Sequence, residues 1–230
     1  MIVARPKSLE YVKERVRNHK RIVVVGCGGC VTVRPVGGEK QVAELAAVLR
    51  VWARKEGLNL KVEEETTLRQ CEPEFQDEIS EKIEGCDAVV SLACGVGAQC
   101  LAERYPEVEV TPGVDTVFMG ATIEPGLYWE RCAGCGDCII GETGGYCPVS
   151  RCAKSLLNGP CGGSQDGKCE VDPDTPCVWQ QIYDRSEARG AKEVMDRFVP
   201  PKDWSVQPGK FVLEHIMVKK ERPGSELTPT

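Results

Sequence analysis

Arg131 to Cys169, "RCAGCGDCIIGETGGYCPVSRCAKSLLNGPCGGSQDGKC", sets thiol after thiol between glycines, with hardly a large apolar residue to bury around them. At such density thiolates ligate metal or carry redox chemistry. The opening "CAGCGDC", with Cys132, Cys135 and Cys138, is a C-x-x-C-x-x-C run, the spacing that gives three thiolates to one [4Fe-4S] cluster. In that pattern the fourth ligand comes from elsewhere and a cysteine before a proline lies nearby, as Cys147 does before Pro148. Cys152, Cys161, Cys169 and Cys177 complete a set of eight, which suits two clusters. How the eight divide stays open, because each remote ligand can come from either half. Zinc is the competing metal, since a four-cysteine tetrahedral site also uses C-x-x-C pairs. Zinc ribbons bring two pairs rather than a triplet, so iron-sulfur is preferred here, with zinc left open at one site.

Four more thiols lie near the amino terminus. Cys27 and Cys30 fall in "VVVGCGGC", a buried strand running into a glycine turn; Cys71 follows a second strand, and Cys94 a third. If these strands are parallel, the three turns share the carboxyl edge of one sheet, where open α/β sheets put their sites. The four thiols then converge on one further [4Fe-4S] centre, three in all, and the neighbouring glycines let backbone N–H groups approach it. Cys86 precedes the third strand and belongs at the opposite edge, while Cys100 lies inside the following helix. Both are expected to be structural. "GCGGCV" is not G-x-G-x-x-G and no Walker lysine follows, so a nucleotide site is not expected there.

The elements that must position these thiols are legible in outline. A short amphipathic helix carries Leu9, Val12 and Val16; the strand at "RIVVV" follows; a helix from Glu39 to Lys55 presents Val42, Leu45, Ala46, Leu49 and Trp52. "LNLKVEEETTLRQC" reads as a strand and loop, "PEFQDEISEKIEG" as one helix with Phe75, Ile79 and Ile83 in register, and "CDAVVSLACGVGAQC" as a strand entering a helix. "VEVTPGVDTVFMG" adds one more strand. This alternation predicts an α/β fold, a parallel-sheet Rossmann- or flavodoxin-like domain over residues 1–125, with one cluster site. Residues 126–230 are expected to form a loop-rich, cysteine-rich domain with two cluster sites, short helices around "PVSRCAKSLL" and "CVWQQIYDRSEARGAKEVMDRF", and a carboxyl-terminal arm carrying a strand "KFVLEHIMV". Apolar burial alone cannot organise that second part, and a cross-linking inorganic centre would.

Lys+Arg 29 against Asp+Glu 35 leaves a net charge of -6, which argues against a nucleic-acid surface. The start is charged and lacks a signal-peptide core, and "IVVV" is too short to span a bilayer, so a cytoplasmic location without membrane insertion is expected. In that reducing compartment 14 cysteines point to metal rather than disulfides. Ordinary catalytic machinery is sparse: two histidines, His19 at the basic end of the first helix and His215 in a strand-like segment where it reads as structural, and no G-x-S-x-G elbow. A chain rich in cluster ligands, with no evident acid, base or substrate pocket, moves electrons rather than making bonds.

The segments "CAGCGDC", "TGGYCPVSRCAKSLLNGPCGG", "GKCEV" and "PCVWQQIYDR", with "GCGGCVTVRPVGGEKQVAEL", "LRQCEPEF" and "SLACGVGAQ", resemble the small iron-sulfur subunit of bacterial methylenetetrahydrofolate reductases. The cysteine-rich part is similar to the methylenetetrahydrofolate reductase C-terminal domain family. The resemblance spans residues 20–185 and implies a partner, a catalytic subunit carrying FMN or FAD that reduces methylenetetrahydrofolate to methyltetrahydrofolate in the reductive acetyl-CoA (Wood-Ljungdahl) pathway. It also implies an electron donor of heterodisulfide-reductase or Rnf type. By position, Cys27, Cys30, Cys71 and Cys94, and the eight from Cys132 to Cys177, match the family's cysteine motifs. Cys86 and Cys100 do not.

Overall fold

The parallel run of "RIVVVGC" organises the first half of the molecule. In the computed structural model, which describes residues 1–206, the chain forms β1 (Ile2–Pro6), α1 (Leu9–Val16), β2 (Arg21–Cys27), α2 (Cys30–Val33), α3 (Glu39–Glu56), β3 (Lys61–Thr67), α4 (Pro73–Asp77), α5 (Ser80–Ile83), β4 (Ala88–Ser91), α6 (Gly95–Arg104), β5 (Glu109–Pro112), β6 (Val114–Glu124), β7 (Leu127–Cys132), α7 (Pro148–Arg151) and α8 (Val178–Ala188). Two 3-10 turns follow, Lys192–Asp196 and Trp204–Val206. His215 and the expected strand "KFVLEHIMV" lie outside the described residues.

The chain divides into two units, one of Met1–Ala133 with Cys147–Ser155, the other of Gly134–Tyr146 with the chain from Leu156 onward. The first is α/β. Strands β2, β3, β4 and β5 pair in parallel in the order β3-β2-β4-β5. Numbered among themselves these four run 2-1-3-4, a doubly wound order whose switch point lies between β2 and β4. Because β2 is central, both its faces are buried. Ile22 and Val24 pack against Val12 and Val16 of α1 and Val42, Ala46 and Leu49 of α3. Val23 and Val25 pack against Ile79, Ile83, Leu101 and Tyr105 on the other side. That explains an unbroken β-branched run in place of alternation. Helix α1 begins where the Ser8 hydroxyl accepts a bond from the Tyr11 N–H at 3.2 Å, and α3 ends at Gly57, whose φ of 66° is left-handed.

Three expectations are corrected. "PEFQDEISEKIEG" breaks into α4 and α5, because Gln76 rather than Phe75 turns into the core to make a buried hydrogen bond, and the Ser80 hydroxyl donates to the Asp77 carbonyl at the break. "VEVTPGVDTVFMG" holds two strands: β5 closes the parallel sheet, and after Gly113 β6 enters a second, antiparallel sheet of order β1-β6-β7. A Cβ at Gly113 would stand 2.4 Å from Leu92 Cδ2 and 3.4 Å from the Ser91 carbonyl, so glycine suits the close passage of the chain from one sheet to the other there. Strands β1 and β7 were not expected.

Among the described residues the second unit holds one helix, α8, and the two 3-10 turns. Among those residues the buried apolar side chains are Val178, Trp179 and Ile182, all on α8. The Trp179 indole N–H donates to the Leu156 carbonyl at 3.0 Å.

Candidate metal centres

The amino-terminal thiols stand where the switch point requires. Cys27 is the last residue of β2, Cys30 the first of α2, Cys71 lies in the loop after β3, and Cys94 caps α6 directly after β4. The turn holding Cys27 is fixed by its N–H to the Gly37 carbonyl at 2.9 Å, by Gly28 N–H to the Thr67 carbonyl at 2.9 Å, and by the Thr32 hydroxyl to the Cys27 carbonyl at 2.7 Å. The Cys27 thiol is buried and points to the Leu68 carbonyl, 3.8 Å away, across the loop that carries Cys71. Burial raises the affinity of the Cys71 thiol for its proton, and neighbouring Cys27 and Cys94 thiolates and the Glu72 carboxylate raise it further. The Cys27 and Cys94 thiols therefore both lie near the Cys71 thiol. The pKa of Cys100 is also raised, by burial first and then by Glu103, Cys94 and Glu72, so it borders the same group from α6.

Among the described residues, no three or more Cys, His, Asp or Glu side chains are gathered tightly enough to hold a metal ion. The surroundings nonetheless fit a bulky anionic centre. A Cβ at Gly29 would stand 3.6 Å from the Cys27 sulfur, an ordinary contact distance, so Gly29 borders that thiol directly. Nearby, the Arg34 guanidinium lies 4.5 Å above the Tyr128 ring with its Nε buried and without a hydrogen-bond partner. Cys86 lies elsewhere. Its N–H bonds the Ile83 carbonyl beside the start of β2, and burial pushes its thiol up to about 11 despite the opposing pull of the Arg21 guanidinium. His19 makes a 3.4 Å contact with Glu109 at the amino edge of the sheet, the edge opposite the thiols of Cys27, Cys71 and Cys94.

The eight later cysteines fall in both units. In the first, Cys132 ends β7, and Cys147 and Cys152 flank α7, which packs on β7. Between the last two, the Ser150 hydroxyl is buried without a partner, an orphaned donor such as a sulfur ligand set can use. In the second unit, Cys135 points at the Asp137 carbonyl at 3.5 Å, and Cys161 donates to Glu170 at 3.1 Å. A tight hairpin sets Cys169 and Cys177 at its two ends. Cys169 N–H donates to the Thr175 carbonyl at 2.9 Å, Lys168 bridges Pro176, and Cys177 N–H donates to the Gly167 carbonyl at 2.8 Å. The triplet loop is tied down by Lys202, whose Nζ donates to the Asp137 carbonyl at 2.6 Å and whose side chain is only 6% exposed. Beside it lies a cavity of about 430 Å³, lined by Ile139, Leu157, Trp179, Phe198 and Val199.

Two polar residues at the same strand ends escaped the sequence reading. Gln70 and Ser91 are buried polar side chains directly behind the thiols. No spacing rule reveals a lone glutamine; its place before Cys71 is the only hint.

A family model described as "Methylene-tetrahydrofolate reductase C terminal" matches residues 111–205, which is less than half of the chain. That segment contains all eight later cysteines. The chain thus carries a domain similar to the C-terminal domain of methylenetetrahydrofolate reductases. Neither a curated protein nor a solved structure matches. Among the described residues no helix is long and apolar enough to cross a membrane.

Proposed function

We propose that the chain is an iron-sulfur electron-transfer subunit of a methylenetetrahydrofolate reductase complex, relaying electrons to a flavin on a catalytic partner that reduces methylenetetrahydrofolate to methyltetrahydrofolate. The observation that carries this reading is the family match, whose span contains the cysteine set with its C-x-x-C-x-x-C triplet. Cys27, Cys30, Cys71 and Cys94 would hold one cluster, and the eight from Cys132 to Cys177 two more. A bound [4Fe-4S] cluster accepts and passes on one electron at a time. The chain's own part is to supply thiolates, to direct backbone N–H groups at sulfur from the glycine turns, and to limit water at the sheet edge. The family resemblance further implies an electron donor of heterodisulfide-reductase or Rnf type.

The test is rapid mixing of the anaerobically reduced chain with the oxidised flavin-carrying subunit. Flavin bleaching matched by cluster oxidation supports the proposal, and Cys135→Ser should slow it sharply. A chain that carries its own flavin and reduces the folate unaided overturns it. So does a chain that binds the partner but transfers no electrons, which would make it a zinc-stabilised scaffold.

A further inference from the structure

The three strand-end turns that bear Cys27, Cys71 and Cys94 are joined by one side chain. Gln70 is fully buried, at 0% exposure, and immediately precedes Cys71. Its Nε2 donates to the carbonyls of Val25 and Gly26, each at 2.9 Å, at the end of β2 where Cys27 follows. Its Oε1 accepts from the Ser91 hydroxyl at 2.6 Å, at the end of β4. The Ser91 oxygen in turn accepts from Ala93 N–H at 3.3 Å, one residue before Cys94.

The backbone of Gln70 is held from the other side. Its carbonyl accepts from Gln76 Nε2 at 2.5 Å, and the Gln76 carbonyl accepts from the Tyr105 hydroxyl at 3.0 Å. Gly97 of α6 lies so close that a Cβ there would come within 2.8 Å of the Gln70 Cβ. A primary amide is costly to bury unless every polar atom is satisfied, and this one is. An apolar residue would pack as well in a sheet interior. What the amide adds is a directional link between three separate turns.

We propose that Gln70 is the positioning residue of the amino-terminal centre: through its bonds to Val25, Gly26 and Ser91 it sets the mutual placement of Cys27, Cys71 and Cys94. The inference rests on the reading that these thiols ligate a cluster. Gln70 itself touches no sulfur in this account. It acts through the backbone on which the sulfurs are carried, so its loss alters the symmetry and potential of the centre before it alters its presence.

The experiment compares wild type, Gln70→Met, Ser91→Ala and Cys71→Ser, purified without oxygen, by iron content and by EPR-monitored redox titration. Gln70→Met keeps length and volume but removes all three hydrogen bonds. The expected result is a changed reduced-state signal and a displaced midpoint potential for one centre, with the signals of the others unmoved. Ser91→Ala, which cuts only the link toward Cys94, should displace the same centre by less, and it serves as the test if Gln70→Met does not fold. Cys71→Ser should lose about one third of the iron if three like clusters are present. If Cys71→Ser loses iron while folded Gln70→Met and Ser91→Ala leave every signal and midpoint unchanged, the positioning role is overturned and the cluster reading stands. If Cys71→Ser leaves iron content unchanged, both are overturned.

Discussion

Cys86 offers a quantitative check on which thiols are ligands and which are structure. Its thiol is 6% exposed, and burial raises its pKa from 9.0 to about 11, with the Arg21 guanidinium pulling the other way. In the unfolded chain the thiol titrates near 9.0; in the folded chain it keeps its proton until about 11. A folded-state pKa above the unfolded one contributes stability that is fully present below pH 9 and disappears as pH rises through 11. At about 1.4 kcal/mol per pH unit, the rise from 9.0 to about 11 corresponds to on the order of 2–3 kcal/mol. Cys86→Ala removes the titrating group and leaves a small cavity costing roughly 1 kcal/mol or more at every pH. Urea unfolding followed by circular dichroism, from below pH 9 to about pH 11, should therefore show the variant less stable at the lower pH and the gap closing or reversing toward the higher. Iron content should not change. A gap independent of pH would refute the reasoning about burial, and loss of iron in Cys86→Ala would refute its placement outside the ligand set.

Other outcomes follow from contacts of the same kind. Gly97→Ala would set a Cβ within 2.8 Å of the Ala93 and Gln70 Cβ atoms, so it should destabilise the first unit by about 1–3 kcal/mol, measured by chemical unfolding; Gly141→Ala, which meets nothing within 4 Å, should be near neutral. Trp179→Phe leaves the Leu156 carbonyl without its indole donor and should cost about 1–3 kcal/mol, read as a lower melting temperature of the second unit alone. Metal removal by a strong chelator in denaturant-free buffer should abolish hydrogen-exchange protection in residues 156–188 while the β2 and β4 amides stay protected, because among the described residues of the second unit the buried apolar side chains are Val178, Trp179 and Ile182.

Much of this architecture is legible in the chain because its signals are local. "RIVVV" is apolar on every residue and so marks a strand covered on both faces, and the glycine turn after it places Cys27 and Cys30 without further information. Strands β1 and β7 carry no such mark. They are the edges of a three-stranded antiparallel sheet, β1 includes Arg5 and Pro6, and "LYWERC" is only half-buried before it runs into the first cysteine of the triplet. The break between α4 and α5 was hidden for another reason: the pattern of Phe75, Ile79 and Ile83 fits one helix, and the inward turn of Gln76 depends on a partner, Gln70, that only the fold brings near. The same holds for the candidate site. Which turns meet follows from strand order, but the amide that joins them, and the orphaned Ser150 hydroxyl between Cys147 and Cys152, are tertiary facts with no spacing signature.

The central claim is that the thiols hold iron-sulfur clusters. Iron, zinc and acid-labile sulfide should be determined on the full chain purified without oxygen, with low-temperature EPR before and after dithionite reduction. The account predicts about twelve iron per chain, matched by sulfide, and reduced-cluster signals that appear with dithionite. Stoichiometric zinc with little iron and no such signals would contradict it and leave a structural scaffold in place of an electron carrier.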